Sequence, residues 1–294
     1  MNIKDYLLRL FEKGKTEVKC FIPTNGPYYH FITESALGLY LLLKKNAKLE
    51  SLDCQLWYQG KFVEIVQMFS AQPVVQIPLE ERLKDAKRID SSIKTLKIGY
   101  LKRRRDFYKL LPLAKFLSDR IPEHYAEKGI TIIKRANKRE YAQTEELAQK
   151  LIKFQLPVRI VQFEKMPFAE QVNVARNTSI LIAPHGAGTI NQMFMRKGAK
   201  LIELFPKGYY NWRSEAVAKV FGHELVEIES DQPGTFGRQP SEEIKRLIEE
   251  NGWPDRETVL CSRYHSAELL LAVRDVKSFS IDPEKIVKVV QKML

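Results

Sequence analysis

The stretch from Ser179 to Met195 constrains the fold more than any other part of the chain, because a short apolar run leads there into a glycine turn. The run from Ile180 to Ala183 has the length and composition of a strand that is buried on both faces. After the turn, the sequence predicts a helix from Thr189 to about Arg196 and then a second apolar strand from Lys200 to Phe205. The stretch therefore predicts a strand, turn, helix and strand unit within a parallel sheet.

The turn carries glycines at 186 and 188 on either side of one alanine, which leaves the backbone amides at the start of the next helix uncovered. Such amides, together with the positive end of the helix dipole, form a binding place for phosphate. A Gly-x-Gly turn also occurs as a plain tight connection, and Asn191 stands where the dinucleotide-binding fingerprint has its third glycine. His185, Asn191 and Glu203 add polar groups at the predicted carboxyl ends of strands, where α/β sheets bind ligands.

Predicted strands and helices alternate along the rest of the chain, which is typical of parallel sheets with helices on both faces. A first alternation fills the N-terminal part, and a second begins at residue 131, after a proline-containing linker at residues 121–129. The sequence therefore predicts an α/β protein with two Rossmann-like domains that face a cleft. The predicted boundaries are 1–121 for the first domain, 122–280 for the second domain, and 281–294 for a helix that packs back on the first domain.

A net charge of +12 is the most unusual feature of the composition. It favours an anionic partner, which is nucleotide phosphate, an acidic membrane surface or, as the weakest candidate, nucleic acid. The longest apolar run, Ala36 to Leu43, is too short to cross a membrane, and the N-terminus lacks the layout of a signal peptide. We therefore expect a cytoplasmic protein whose basic surface allows peripheral contact with the inner face of a membrane.

Three segments of the chain resemble the signature of glycosyltransferase family 61. They are His185-Gly-Ala-Gly-Thr-Ile-Asn191, then Phe194-Met195, then Leu201-Ile-Glu-Leu-Phe-Pro206, with Thr-Ile in the first segment where the family usually has Leu-Thr. The resemblance extends upstream to Glu170-Gln171, to Arg135 and Arg139, and to the segment from Tyr28 to Glu34, which is similar to the family's Tyr-x-His-x-x-x-Glu helix start. It implies a GT-B fold and an inverting glycosyltransferase that takes its sugar from a nucleotide sugar, with a UDP-sugar as the expected donor.

A nucleotide-sugar site must stabilise the negative charge that grows on the leaving pyrophosphate. The sequence contains no Asp-x-Asp pair of the kind that holds a metal in many transferases, which favours a metal-independent site without a further cofactor. Guanidinium forks from Arg135 and Arg139 suit phosphate, although both residues are also compatible with a surface basic patch. We expect Glu203 to accept the ribose hydroxyls. The remaining predicted donor contacts are His185, Gly186, Ala187, Gly188, Thr189 and Asn191.

The base that takes the acceptor's proton is predicted in the first domain. His30 and Glu34 stand at positions i and i+4 of a helix and therefore share one face, so that the carboxylate can orient the imidazole. The same pair is also compatible with a carboxylate that complements the helix dipole beside a packed histidine. Asp106, next to a basic run, is the second candidate.

Two other classes of function remain open at this point. One is an enzyme of Rossmann type that binds NAD(P) or S-adenosylmethionine. The other is a nucleic-acid-binding protein, which the net charge and the basic run from Lys102 to Arg105 would suit, although such a run is also compatible with a solvated loop. The leading prediction is sugar transfer to a glycan or lipid-linked glycan in polysaccharide biosynthesis.

Overall fold

The computed structural model describes residues 18–22, 28–45, 52–56, 62–69, 74–76, 94–95, 101, 103–237, 239–254 and 273–294. The chain forms two compact units, one made of residues 1–122 with 167–169, and the other of residues 123–166 with 170–294. Each unit contains a parallel sheet, so the predicted α/β class with two parallel-sheet units is confirmed. Two further helices that the sequence predicts, at residues 1–15 and 266–273, lie outside the described residues except for residue 273.

The sheet of the first unit has four parallel strands in the order β3-β2-β1-β4. Because the chain runs outward from β1 to β3 and then returns to the other side of β1, the order reverses between β1 and β4. Ligands of open α/β sheets bind at the carboxyl edge beside such a reversal. The strands are β1 (Val18–Ile22), β2 (Leu52–Leu56), β3 (Val75–Gln76) and β4 (Lys94–Thr95).

Helices of the first unit bury aromatic side chains against one another. The ring of Phe31 stacks on that of Phe62 with 4.3 Å between centroids, and Phe69 stacks on Phe116 at 4.8 Å. The Glu64 carboxylate accepts a 2.8 Å hydrogen bond from the Phe168 amide, which ties residues 167–169 to this unit. The helices are α1 (Tyr28–His30), a π-helical segment (Phe31–Ala36), α2 (Leu37–Lys45), α3 (Phe62–Gln67), a 3-10 helix (Arg104–Lys109) and α4 (Leu110–Ser118).

The sheet of the second unit has five parallel strands in the order β10-β9-β8-β5-β7, and a smaller sheet has the order β11-β12-β6. Ile180, Leu181 and Ile182 on β8 are all at most 2% exposed, as the continuous apolar run predicts for a central strand. The strands are β5 (Gly129–Ile133), β6 (Glu140–Tyr141), β7 (Val158–Val161), β8 (Thr178–Pro184), β9 (Lys200–Phe205), β10 (Glu224–Glu229), β11 (Thr235–Phe236) and β12 (Val276–Phe279).

The chain order of the five-stranded sheet reverses between β5 and β8, since the segment after β5 first leads to β7 on one side and then to β8 on the other. The loops that follow β5 and β8 therefore meet at the carboxyl edge of the sheet. This reversal brings together two loops that are about 50 residues apart in the sequence.

Helices cover the second unit and include the C-terminal helix, which sequence analysis assigned to the first domain. Ile286, Val287 and Val290 of that helix are at most 1% exposed and pack in the second core with Leu147 and Leu151, so the helix belongs to the second unit. The helices are α5 (Thr144–Leu151), 3-10 helices (Ile152–Phe154, Phe163–Lys165 and Ala187–Phe194), α6 (Phe168–Arg176), α7 (Arg213–Phe221), α8 (Glu242–Asn251) and α9 (Pro283–Met293).

The segment after the glycine turn is a 3-10 helix at Ala187–Phe194, where the sequence predicted a helix from Thr189 to about Arg196. The Thr189 hydroxyl donates to the Gly186 carbonyl at 2.8 Å, and the Asn191 amide donates to Gln171 at 3.1 Å. Short polar side chains that bond locally in this way compete with the α-helical backbone pattern. Dipole-based phosphate binding is correspondingly weaker, because a 3-10 helix aligns fewer good hydrogen bonds.

Within the residues that the structure describes, no helix has the length and apolar character needed to cross a bilayer.

Candidate functional site

The candidate site lies at the carboxyl edge of β5 and β8, where the strand order reverses. Arg135 and Arg139 follow β5, and His185 and Gly186 follow β8. The backbone holds the two loops in place, since the His185 amide continues the ladder by donating to the Leu204 carbonyl at 2.9 Å. The structure thus joins the two arginines with the start of the glycine turn, as the sequence predicted.

Arg135 packs its guanidinium directly against Gly186. A Cβ built on that glycine would lie 1.5 Å from Nη1 of the arginine, so a side chain at this position would displace the guanidinium from its observed place. The Nε atom donates to the Lys138 carbonyl at 2.7 Å. The space that we expected an approaching phosphate to fill is therefore occupied by a cationic group of the protein. Burial, with the nearby Arg139 charge, lowers the pKa of Arg135 to about 10.

Arg139 is held by three kinds of contact. Its Nε donates to the His185 carbonyl at 2.9 Å, and its Nη1 donates to the Arg274 carbonyl at 2.9 Å. The guanidinium carbon lies 5.4 Å from the ring centroid of Tyr209, within cation–π range. The residue has a φ of 53°, a conformation that L residues other than Asn and Asp seldom adopt, and its amide donates to the Val276 carbonyl at 2.9 Å. Burial lowers the pKa of Arg139.

His185 forms one hydrogen-bonded chain with Glu203 and Ser214. The imidazole Nδ1 lies 2.6 Å from Glu203 Oε1, and the Ser214 hydroxyl donates to the same oxygen at 2.8 Å. A carboxylate accepts but does not donate, so Nδ1 carries a proton and Nε2 is left for another partner. The imidazole stacks on Phe205 with 5.0 Å between centroids and meets Tyr209 edge-on at 5.2 Å.

The position of Glu203 differs from the prediction that it binds ribose hydroxyls. Its side chain is 0% exposed, and its Oε1 is already bonded to the imidazole of His185 and the hydroxyl of Ser214. Its Oε2 is buried and has no hydrogen-bond partner among the described residues. A buried carboxylate is costly for the fold unless a positive charge lies nearby, and Arg139 supplies such a charge. Glu203 therefore supports His185 from behind and does not face a ligand.

Most of the remaining signature residues are structural. Thr189 and Asn191 are at most 2% exposed and bond to other protein groups, and Gln171 passes the chain of bonds on from Asn191 to the Met166 carbonyl at 2.9 Å. Ala187 and Gly188 are half-buried, and a Cβ at Gly188 would meet Ile133 Cδ1 at 3.4 Å and Phe163 Cδ2 at 3.6 Å, which are ordinary contact distances. Of the predicted donor contacts, Arg135, Arg139, His185 and Gly186 thus form the site, and Thr189 and Asn191 support it.

The residue predicted as the catalytic base, His30, lies close to its predicted partner, Glu34, in the first unit. Nδ1 of His30 lies 2.6 Å from Oε1 of Glu34, and both side chains are partly exposed. The pair belongs to the helical segment that follows β1. The strand order of the first sheet reverses between β1 and β4. The helix changes to π geometry directly after the histidine, and such irregular turns are frequent at functional sites.

Asp106, the second candidate base, is engaged at the start of a 3-10 helix. Its carboxylate accepts from the Arg103 amide at 3.1 Å and from Lys109 Nζ at 3.3 Å. Burial acts to raise the pKa of Asp106, but these two donors outweigh it and lower the pKa overall. A carboxylate with a lowered pKa is a weak base, so the geometry favours His30 over Asp106.

Two other features of the second unit do not point to a ligand. The described residues contain no group of three or more His, Cys, Asp or Glu side chains that could hold a metal ion. A pocket of about 520 Å³ lies between the end of β10 and α9. Its Lys207 and Lys285 already bind the carbonyl and the carboxylate of Asp231, respectively, so we assign no ligand to it.

Sequence reasoning missed Ser214, Tyr209 and Phe205. Phe205 ends β9, and Tyr209 follows it. The rings of both residues pack against the imidazole of His185. Ser214 lies in the first turn of α7, where a serine normally suggests a helix cap. The position of Tyr209, just after Pro206 at the end of a predicted strand, was a usable signal, because strand ends line sites in α/β sheets.

The family described as Glycosyltransferase 61 matches residues 28–202, which is more than half of the chain. The match includes the helix with His30, both arginines of the second unit and the glycine turn. It ends one residue before Glu203.

Individual proteins match over shorter parts. The chain is 33% identical over 100 residues to protein O-linked-mannose β-1,4-N-acetylglucosaminyltransferase 2 of Xenopus tropicalis, covering 32% of this chain and 17% of that protein. It is 23% identical over 202 residues to β-1,2-xylosyltransferase XYXT1 of rice, covering 62% of this chain and 43% of that protein. The crystal structure of the iron-containing dodecameric glycosyltransferase TibC of enterotoxigenic E. coli aligns over 94% of this chain and 75% of its own, with 11% identity and a TM-score of 0.43.

Proposed function

Since this chain belongs to the glycosyltransferase 61 family, we propose that it transfers a sugar from a nucleotide sugar, expected to be a UDP-sugar, to a glycan or lipid-linked glycan. The observation that carries the proposal is the pair of half-buried guanidiniums, Arg135 and Arg139, beside His185 where the strand order reverses. The two neighbouring cations repel one another, and the pyrophosphate of a donor would offset that repulsion.

The two arginines and His185 would act on the leaving group. As the bond to the sugar breaks, negative charge grows on the pyrophosphate, and fixed cations in a buried site stabilise it more strongly than water does. A protonated His185 donates from Nε2 to a phosphate oxygen, while Glu203 keeps Nδ1 occupied on the other side. Both partners of the imidazole are thereby defined.

The reaction would proceed without a metal ion. The sequence lacks an Asp-x-Asp pair, and the charge that a cation would otherwise balance can be met by Arg135, Arg139 and His185. These groups form part of the fold and need no ion to be bound first.

His30 would remove the proton from the acceptor hydroxyl. With Glu34 accepting from Nδ1, a neutral imidazole carries its lone pair on Nε2, which is the form that a general base requires. Attack on the face of the sugar opposite the leaving group then inverts the anomeric centre. The names of the relatives indicate transfer of N-acetylglucosamine or xylose, so we propose an amino sugar or a pentose as the first sugars to test.

A donor screen tests the proposal. Binding of UDP, UMP, UDP-N-acetylglucosamine, UDP-xylose, NAD and S-adenosylmethionine would be measured by calorimetry and thermal shift. We expect UDP to bind more tightly than UMP, and Arg139→Ala to weaken UDP about 10- to 100-fold, the range for a lost charged hydrogen bond.

The matched control is Lys153→Ala, which removes an exposed cation elsewhere in the second unit and should leave UDP affinity unchanged. Equal affinity of the Arg139→Ala variant and the wild type for UDP would remove the arginines from the site. Tighter binding of NAD or S-adenosylmethionine than of every UDP compound would replace the proposed function by the alternative enzyme class.

A further inference from the structure

The first unit carries an exposed face that combines cations with apolar side chains. We call this the cationic face and define it by Arg103, Arg104, Arg105, Tyr108 and Leu111. The three arginines are exposed, Tyr108 is 60% exposed and Leu111 is 43% exposed. Arg103 directly precedes the 3-10 helix, Arg104, Arg105 and Tyr108 belong to it, and Leu111 lies in the first turn of α4.

The face is the outer side of an amphipathic segment. Its inner side is formed by Phe107, Leu110 and Leu113, each 0% exposed, which anchor the segment to the first core. Arg104, Tyr108 and Leu111 recur at helical spacing on the opposite side. Because Phe107, Leu110 and Leu113 face the core, the tyrosine and the leucine are exposed to solvent.

The charge of the face is strongly positive. Nearby Asp106 is bonded to Lys109 Nζ, at 3.3 Å, and Asp119 is bonded to Lys115 Nζ, at 3.0 Å. These two acidic groups balance the two lysines, so the three arginines supply the net charge of the face. A helical surface that displays cations around a tyrosine and a leucine matches the chemistry of an anionic bilayer surface.

We propose that the cationic face binds an anionic lipid bilayer, with the arginines among the head groups and Tyr108 and Leu111 at the boundary to the acyl chains. Nucleic acid fits the face less well, because a phosphate backbone offers no partner to an exposed leucine. An acidic protein would match the charge but would leave the helical apolar pair unexplained.

Vesicle co-sedimentation of the full chain tests the proposal. Wild-type protein should bind vesicles of phosphatidylcholine and phosphatidylglycerol at 7:3, bind pure phosphatidylcholine weakly, and lose binding as salt is raised. Each arginine near an anionic surface contributes about fivefold, or about 1 kcal/mol, so Arg103→Gln/Arg104→Gln/Arg105→Gln should weaken binding about 100-fold.

The charge-matched control is Lys277→Gln/Lys288→Gln/Lys292→Gln, which removes three exposed cations from the second unit. This variant should bind within a few-fold of the wild type. If it weakens binding as much as the arginine variant does, overall charge is responsible and the cationic face is not a binding surface. The melting temperature of each variant shows that binding losses do not come from unfolding.

A second readout tests the apolar part. Tyr108→Ser/Leu111→Ser should weaken vesicle binding at least tenfold, while its binding to a 30-nucleotide single strand should match that of the wild type. In a Tyr108→Trp variant, brominated phosphatidylglycerol should quench fluorescence beyond the loss seen for the three native tryptophans. Unchanged vesicle binding of the serine variant, or oligonucleotide binding tighter than vesicle binding in the wild type, would overturn the assignment.

Discussion

His185 is surrounded by groups that define the role of each of its ring nitrogens. Glu203 and Ser214 lie behind Nδ1, Phe205 and Tyr209 pack against the ring, and Arg139 holds the backbone carbonyl. The imidazole is therefore fixed in position before a ligand arrives. A group that needs no rearrangement on binding loses little entropy when it meets a phosphate.

We expect Glu203 to affect UDP binding only through its hydrogen bond to His185. We expect Glu203→Gln, which keeps the shape but removes the charge, to weaken UDP binding about tenfold, and Ser214→Ala to weaken it about fivefold, as for one lost neutral hydrogen bond. In a His185→Ala background, Glu203→Gln should have little further effect. Calorimetry on the wild type, the two single variants and the double variant measures the coupling, and additive losses would assign Glu203 a direct contact with the ligand.

The lowered pKa of Arg135 predicts a limit of donor binding at alkaline pH. Its folded pKa is about 10, below its usual value, so the guanidinium is charged at neutral pH and loses its proton as pH rises through 10. UDP affinity should therefore be constant from pH 7 to 9 and fall above about pH 10.

The Arg135→Gln variant is the control for this pH dependence. It should bind UDP more weakly at all pH values and show a smaller decline at alkaline pH. A wild-type profile that stays flat to pH 11, with the fold intact by circular dichroism, would contradict the assigned role of the arginine.

At the scale of elements, the glycine turn leaves space for the Arg135 side chain at the end of β8. Gly186 lies where Arg135 needs the space, whereas Gly188 faces Ile133 at ordinary contact distance. The two glycines of one motif therefore have different importance. The sequence pattern treats them alike, and only the packing separates them.

Substitution of each glycine by alanine tests this difference. Gly186→Ala should displace the guanidinium, because the new Cβ would overlap Nη1 of Arg135, and it should weaken UDP binding at least tenfold. Gly188→Ala should change UDP affinity less than threefold, since its Cβ meets Ile133 and Phe163 at ordinary contact distances of 3.4 and 3.6 Å. Titration of both variants with UDP is the measurement, and equal losses would contradict the packing argument.

The irregular elements are where sequence-based prediction was weakest. The three-stranded sheet of β6, β11 and β12 was missed, because strands of two to four residues are too short for a hydrophobic periodicity to show. The helix after the glycine turn was predicted, but its 3-10 geometry depends on where Thr189 and Asn191 find partners. By contrast, the long strands of the second sheet were predicted within about two residues, because their apolar runs are continuous.

At the scale of the whole molecule, the two units carry the two halves of the proposed chemistry. Arg135, Arg139 and His185 belong to the second unit, and His30 with Glu34 belongs to the first. Each set lies at the carboxyl edge of its own parallel sheet. The family match from residue 28 to residue 202 includes both sets.

Metal independence is a prediction about the transfer reaction as a whole. Sugar transfer measured in EDTA should stay within about twofold of the untreated rate, because arginine charges take the place of a cation on the pyrophosphate. The control is the same reaction with Mn²⁺ or Mg²⁺ added back after chelation. Strict dependence on an added divalent ion would contradict the proposal and would require a ligand set that the Asp-x-Asp argument overlooked.

The sequence by itself determined the α/β class, the two-unit organisation and the loop ends that carry Arg135, Arg139 and His185, because hydrophobic periodicity and glycine placement are local properties. The tertiary structure alone decided what those residues face. Burial turned Glu203 from a predicted ribose contact into the partner of His185, and close packing gave the space beside Gly186 to a guanidinium. Both outcomes depend on contacts between strands and loops that are distant in the chain, which no local pattern encodes.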